Sequence, residues 1–281
     1  MVDKVQIKKA LGQNFLTDPA IAQLMVESLD IREGNQIIEI GAGTGAVTQS
    51  LASVCNSQGA CLTAVEFDID LIPILKSKIL ENKNTKIVNA NILNFLDGMM
   101  PEVPQRFEER AVRSGTRNEN AVEPGLKNTQ LKIIGSLPYN ITSPLIHRLI
   151  KTEPMPETCV FLIQKEVAQK ICKQAPDSNY LSVFVQTFYT TEILKIVDKN
   201  LFSPIPKVDG AVIKLTRKLS DMLPIDISRY EKFLHRVFSH PRKMLNKVFT
   251  KEELKKHQLD GTKRPQDYGS DKYAWVNSAS M

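Results

Sequence analysis

Three glycines at alternate positions, Gly41-Ala42-Gly43-Thr44-Gly45, directly follow a short apolar run, Gln36 to Ile40 (QIIEI). Bare backbone there allows a tight turn, and it lets a ligand approach the peptide planes and the N-terminus of the helix-compatible stretch that follows. A second apolar run, Cys61 to Val65 (CLTAV), stops just before Glu66. A carboxylate at the end of that strand can accept hydrogen bonds from ribose hydroxyls. Both features point to a nucleoside cofactor. The spacing of Gly41, Gly43 and Ala46 also satisfies a Gly-x-Gly-x-x-Ala dinucleotide pattern. The turn alone therefore fits nicotinamide and S-adenosylmethionine equally.

The elements that must position these residues can be read from apolar runs. Those at 36–40 and 61–65 are followed by others starting at Lys86 to Val88, at Leu131 to Ile134 (LKII) and at Cys159 to Ile163 (CVFLI), with helical stretches between most of them. Buried strands alternating with helices imply a mostly parallel sheet covered on both faces, the α/β class. Two later runs, Ser182 to Tyr189 and Glu192 to Val197, and a third at Ala211 to Leu215, are expected to finish the sheet with a hairpin. Residues 97 to 130 contain Pro101, Pro104 and Pro124, charges of both signs and little periodic apolar content, and read as a flexible surface insertion. Beyond Lys218 come helix-sized basic segments, so the expected units are 1–218 and a small helical 219–281.

A chain of 281 residues with 42% apolar and 24% charged residues can bury a core, which argues against disordered or fibrous architectures. No apolar run approaches the roughly 18 residues of a membrane span, and the first 15 residues have no signal-peptide core. No membrane contact and a cytoplasmic location are expected. Cys55, Cys61, Cys159 and Cys172 lack C-x-x-C spacing, which argues against disulfides and zinc. His147, His235, His240 and His257 read as structural or surface residues, so no metal site is expected. The formal charge is +6, and the stretch from Arg229 to Lys256 holds nine basic residues against three acidic ones. Such one-sided charge, including Arg242, Lys243 and Lys247, suits the phosphates of a structured RNA.

At the end of the fourth strand stands Ser136-Leu137-Pro138-Tyr139. It resembles the Asn-Leu-Pro-Tyr signature of adenine-N6 methyltransferases that act on RNA. Adenine N6 is a poor nucleophile while its lone pair is delocalised into the ring, so acceptors must bind its hydrogens. A polar side chain at 136 and the Leu137 carbonyl can serve, Pro138 fixes the turn, and Tyr139 offers a ring to stack an extracted base. Further motifs follow in order: Lys9-Ala10-Leu11-Gly12-Gln13-Asn14-Phe15-Leu16, Glu39 to Gly45, Gln164-Lys165-Glu166-Val167-Ala168, and Phe202-Ser203-Pro204-Ile205-Pro206-Lys207-Val208-Asp209. Across nearly its whole length the chain resembles the ribosomal RNA adenine dimethyltransferases of the KsgA type.

That resemblance implies a Rossmann-like class I methyltransferase sheet with a small helical C-terminal domain. It implies transfer of methyl groups from S-adenosylmethionine to N6 of two adjacent adenosines near the 3′ end of small-subunit rRNA, in a pre-ribosomal particle, by a monomer. Asn14 and Leu16 would line the cofactor, Gly41 and Gly43 would approach it, Glu66 would hold its ribose and Asn91 its adenine. Phe202 would stack on the target base opposite Tyr139. The chain departs from the family pattern at Ser136, where Asn is usual, and at Asn91, where Asp is usual. These departures predict a working but slower enzyme. They also leave open a non-catalytic assembly factor or mitochondrial transcription factor on the same fold, and the shared catalytic motifs leave open an Erm-type enzyme acting on the large subunit.

Overall fold

The structure, a computed structural model, describes residues 8, 12–79, 83–98, 130–138, 141–218 and 226–278. The expected insertion lies almost wholly outside them. Apolar, β-branched runs form the strands: β1 (Phe15–Leu16), β2 (Gln36–Ile40), β3 (Cys61–Glu66), β4 (Thr85–Asn89), β5 (Leu131–Ser136), β6 (Thr158–Gln164), β7 (Tyr189–Val197), β8 (Phe202–Ser203) and β9 (Gly210–Arg217). Seven of them make one sheet in the order β4-β3-β2-β5-β6-β9-β7. The pairs among the first five strands are parallel, whereas β9 runs antiparallel to both β6 and β7.

Helices cover both faces because the central strands are apolar on both. Ile37, Leu62, Ile134 and Leu162 pack into one cluster with Met25 of α1 (Pro19–Glu27) and Leu51 of α2 (Thr48–Gln58). Their chain neighbours Ile38, Ile133, Phe161 and Ile163 point the other way, as a period of two requires. There they meet Leu96 of α4 (Ile92–Asp97), Leu145 of α5 (Thr142–Lys151) and Ala168 of α6 (Lys165–Ile171). Between β3 and β4 lies α3 (Ile72–Lys78), whose Leu75 packs on Ala42 and Ala64. Each such Leu, Ile, Phe or Met side chain contributes roughly 1.5–3 kcal/mol of transfer free energy.

One expected strand is a helix. Residues 182–188 belong to α7 (Tyr180–Phe188), and the antiparallel pair that finishes the sheet is β7 with β9. Its β-branched and aromatic composition favours extended structure, but two tertiary facts override that. Asn179 and Ser182 form a reciprocal capping box at its start, with Oδ1 of Asn179 accepting from the Ser182 amide at 3.1 Å. Phe184 and Phe188 are also buried in the cluster that takes in Tyr230 and Leu234 of α8 (Ile227–Val237). The Thr187 and Tyr230 hydroxyls lie 2.8 Å apart across that contact. Two further helices, α9 (Lys251–Lys256) and α10 (Ser270–Ser278), complete the C-terminal segment.

Cys55 and Cys159 are buried, Cys172 half-buried and Cys61 exposed, all as free thiols. Burial pushes the Cys55 thiol up to about 12, which leaves it inert. No helix among the described residues is long and apolar enough to cross a membrane.

Gly135 of β5 sits opposite Ile40 of β2 with no room for a side chain. A Cβ there would lie 2.5 Å from the Ile40 carbonyl oxygen and 3.0 Å from the Ile40 Cβ. Both neighbours are held by the sheet register that pairs Ile40 with Gly135. Gly135→Ala is expected to lower stability by about 1–3 kcal/mol. Urea denaturation, with midpoint and slope measured separately, checks this.

Candidate active site

The strand order reverses at β2, whose sheet neighbours β3 and β5 lie on opposite sides. Crevices form outside the carboxyl ends of strands at such a point. A cleft of about 290 Å³ opens there, lined among others by Gly41, Gly43, Glu66, Asn91, Ser136 and Phe202. Residues widely separated in the sequence therefore meet in one place.

The glycine turn is built as its spacing suggests. Gly41 and Gly43 adopt φ of +69° and +57°, a region that costs a side-chain-bearing residue strain. The Gly41 amide donates to the Val65 carbonyl at 2.9 Å, which pins the turn to the end of β3. A Cβ on Gly43 would come within 3.3 Å of the Phe15 ring, and one on Gly41 within 3.4 Å of the Ser136 carbonyl oxygen.

Glu66 is buried and organises this end of the sheet. Its Oε2 accepts from the Gly43 amide at 2.7 Å and its Oε1 accepts from the Asp68 amide at 2.7 Å. Each oxygen keeps a second lone pair, so the carboxylate can still accept from a diol. Asn91 is the N-cap of α4, its Oδ1 accepting from the Leu93 amide at 2.9 Å. Capping takes one lone pair of that oxygen and leaves the other, and the exposed side chain lines the cleft.

Ser136 ends β5, half-buried on the cleft wall. The next residue, Leu137, is buried, and its amide donates to the Leu162 carbonyl at 2.9 Å, which ties the end of β5 to β6. Pro138 lines the cleft too, while Tyr139 lies outside the described residues. On the opposite side, β1 and β8 pair antiparallel, with Leu16 opposite Phe202 and Phe15 opposite Ser203. This pairing joins two motifs nearly 190 residues apart. Asn14 donates to the Gly12 carbonyl at 3.1 Å and faces the cleft. Phe202 is only 6% exposed and packs with Leu16, Val197 and Val212. It is a core ring with an edge on the cleft.

The basic residues Arg242, Lys243 and Lys247 are exposed in the segment between α8 and α9, away from the cleft lining. Not every cation of that stretch is free. Arg236 donates to both carboxylate oxygens of Glu253, at 2.6 and 2.9 Å, and stacks over Phe249 at 4.5 Å. His147 faces Glu231 at 2.8 Å, beside Lys151, and is a contact between α5 and α8.

Glu39 is a cleft residue that the sequence reading left without a role. It is 2% exposed, lines the cleft, and its Oε2 has no hydrogen-bond partner among the described residues. Burial, with a smaller push from the Glu66 charge, raises its carboxyl to about 8, while Thr48 beside it pulls the other way. A buried carboxyl with an orphan oxygen suits a cationic ligand. An acidic residue inside an otherwise apolar strand was the available signal.

Comparison with known proteins agrees with this geometry. Residues 4–267 match the family described as ribosomal RNA adenine dimethylase. The chain belongs to that family. Curated relatives named ribosomal RNA small subunit methyltransferase A include one from Sulfurihydrogenibium sp., 30% identical over 95% of this chain and 93% of its own. Another, from Streptococcus thermophilus, is 33% identical over 90% of this chain and 81% of its own. Among solved structures, a dimethyladenosine transferase from Plasmodium falciparum superposes with a TM-score of 0.69 at 20% identity, covering 93% of this chain and 95% of its own. The 23S rRNA methyltransferase ErmE gives 0.68 at 22%, covering 94% and 98%. These two likenesses establish the fold, a class I methyltransferase sheet.

The raised Glu39 carboxyl predicts a pH dependence in the ligand-free dimethylase. The folded state keeps a proton that the unfolded chain releases near 4.5, so this stabilisation is complete below 4.5 and is lost as pH rises through about 8. The urea midpoint is expected to fall between about pH 5 and 8 more steeply than in Glu39→Gln. Parallel midpoint profiles for the two proteins would exclude Glu39 as the source.

Proposed function

We propose that this protein transfers methyl groups from S-adenosylmethionine to N6 of two adjacent adenosines near the 3′ end of small-subunit rRNA. The observation that carries the reading is that the glycine turn, Glu66 and the Ser136-Leu137-Pro138 turn line one cleft. The small-subunit names of its 30–33% identical relatives support the choice of RNA.

The residues present fit the cofactor. The orphan Glu39 oxygen suits a cation, and Gly41 and Gly43 present bare backbone to the cleft. Glu66 would accept from the ribose hydroxyls, Asn91 would accept from the adenine amino group, and Asn14, Leu16, Gly41, Gly43 and Ser136 would enclose the remainder. When bound, S-adenosylmethionine supplies an electrophilic methyl group on a sulfonium. The protein's task is then to hold and activate N6. The Ser136 hydroxyl and the Leu137 carbonyl would accept its hydrogens and draw the lone pair out of the ring. Pro138 would hold that turn, and Phe202, whose ring lines the cleft, would stack on the target base opposite Tyr139. Holding the adenine in line supplies much of the rate enhancement.

The exposed cations Arg242, Lys243 and Lys247 would bind rRNA phosphates, in a helical unit spanning 219–281 that follows the methyltransferase unit 1–218. The substrate in this reading is a pre-ribosomal particle, met in the cytoplasm by a monomer. Mapping modified adenosines in rRNA from cells with and without the gene tests the assignment: unchanged small-subunit adenosines would refute it.

Two quantitative expectations follow from the residue roles. Serine reaches N6 less well than asparagine, and the lost hydrogen bond belongs mainly to the transition state. Ser136→Asn should therefore speed single-turnover methylation of purified particles by roughly fivefold, and Ser136→Ala should slow it by a similar factor, as about 1 kcal/mol implies. RNA affinity should stay unchanged in both. No methylation by either wild type or Ser136→Asn, with products resolved by mass spectrometry, would favour an assembly factor without activity. Neutralising Arg242, Lys243 and Lys247 together should flatten the plot of log affinity against log salt by roughly 0.7–0.9 per lost phosphate contact. An unchanged slope would make this segment an ordinary solvated face.

A further inference from the structure

Asp68 stands two residues beyond Glu66, 3% exposed, at the start of the loop after β3. Its Oδ1 accepts from Lys8 Nζ at 2.5 Å and its Oδ2 from Gln13 Nε2 at 2.8 Å. Lys8 Nζ also donates to Asp70 at 2.6 Å, and the Lys8 amide donates to Gln13 Oε1 at 2.8 Å. The carboxylate thus draws two side chains of the N-terminal segment onto the loop that carries Glu66. Its own amide donates to Glu66 Oε1. A single residue therefore holds both the segment and the carboxylate.

The segment is fixed at its other end as well, where Phe15 and Leu16 pair with Ser203 and Phe202. Gly12 to Leu16 run between these two anchorages, and all five residues line the cleft. We propose that Asp68 is a positioning residue for the cofactor: by clasping Lys8 and Gln13 it keeps the N-terminal segment closed along the cleft, so that closure and cofactor binding strengthen each other. This rests on the reading of the cleft as the S-adenosylmethionine site. The coupling is reciprocal, since whatever favours the closed segment favours the ligand it touches and the reverse. A buried carboxylate without its cationic partner is costly, which is why the clasp is one-sided in favour of closure.

The test uses full-length wild type, Asp68→Asn, Lys8→Met, the double variant and Lys8→Arg. Calorimetry measures S-adenosylmethionine affinity, single-turnover methylation at saturating cofactor measures the chemical step, and hydrogen exchange follows the Gly12–Leu16 amides. Asp68→Asn should weaken cofactor binding about tenfold and Lys8→Met several-fold, with the saturating rate within about twofold of wild type. The double variant should bind within about twofold of Asp68→Asn alone, because both changes open the same clasp. Lys8→Arg should retain most of the affinity. Exchange at Gly12–Leu16 should quicken in the weakened variants even without cofactor.

Unchanged affinity in Asp68→Asn and Lys8→Met, strictly additive losses, or a lower saturating rate at normal affinity would overturn the proposal. Should Asp68→Asn not fold, Lys8→Met, a change at a partly exposed residue, decides by the same criteria. Wild type that fails to bind S-adenosylmethionine would refute the functional reading instead. In that event the exchange measurement still reports whether the clasp exists.

Discussion

The carboxylate of Glu66 is the interaction on which the geometry of the cleft depends. It is buried, so it requires donors, and the donors it finds are the amides of Gly43 and Asp68. One belongs to the turn after β2 and the other to the loop after β3. A single side chain thus fixes two loops whose strands are already held in parallel register, Ile40 opposite Val65. Hydrogen bonds to a charged acceptor are worth roughly 1.5–3 kcal/mol, more than neutral ones, and here they act on flexible glycine backbone. They add to the backbone bonds from Gly41 to Val65 and from Gly45 to Ala42 that already hold the turn.

The second constraint is steric. Gly135 lets β2 and β5 meet at the Ile40 carbonyl, and Ser136 and Leu137 then emerge directly beside the glycine turn. The distance between cofactor-type and acceptor-type residues is therefore set by strand pairing rather than by loop conformation. Sites built on paired strands are held more precisely than sites on loops. The N-terminal segment closes the remaining side by adding β1 to β8.

The C-terminal segment is joined to the sheet through α7. Phe188 forms edge contacts with Phe184 and with Tyr230, and His147 stacks on Phe184 at 4.6 Å. Lys151 and His147 of α5 both reach Glu231 of α8. Helix α5 begins four residues after Pro138 and carries these contacts at its far end. Helix α8, which precedes the segment bearing Arg242, Lys243 and Lys247, is in this way tied to the same helix that follows the Ser136 turn.

Much of this was legible in the residues alone. The apolar runs of β2, β3, β5 and β6 are continuous because both faces of those strands are buried, and that pattern identifies a covered parallel sheet. The glycine spacing, Glu66 and Ser136 to Pro138 are local signals, since each lies at a strand end where the backbone conformation is set by its neighbours. Other features depended on contacts that no local pattern carries. The stretch from Tyr180 to Phe188 has the composition of a strand and becomes a helix because Asn179 caps it and α8 and α10 cover it. Phe202 reads as a ring beside the ligand, and only its pairing with Leu16 shows that most of it is buried at the cleft wall. Glu39 and Asp68 gained their significance only from burial, which raises the free energy of an unpaired carboxylate and makes its partners decisive. Periodicity reports which residues face a core. Which distant segment satisfies a buried charge is decided only when the chain has folded.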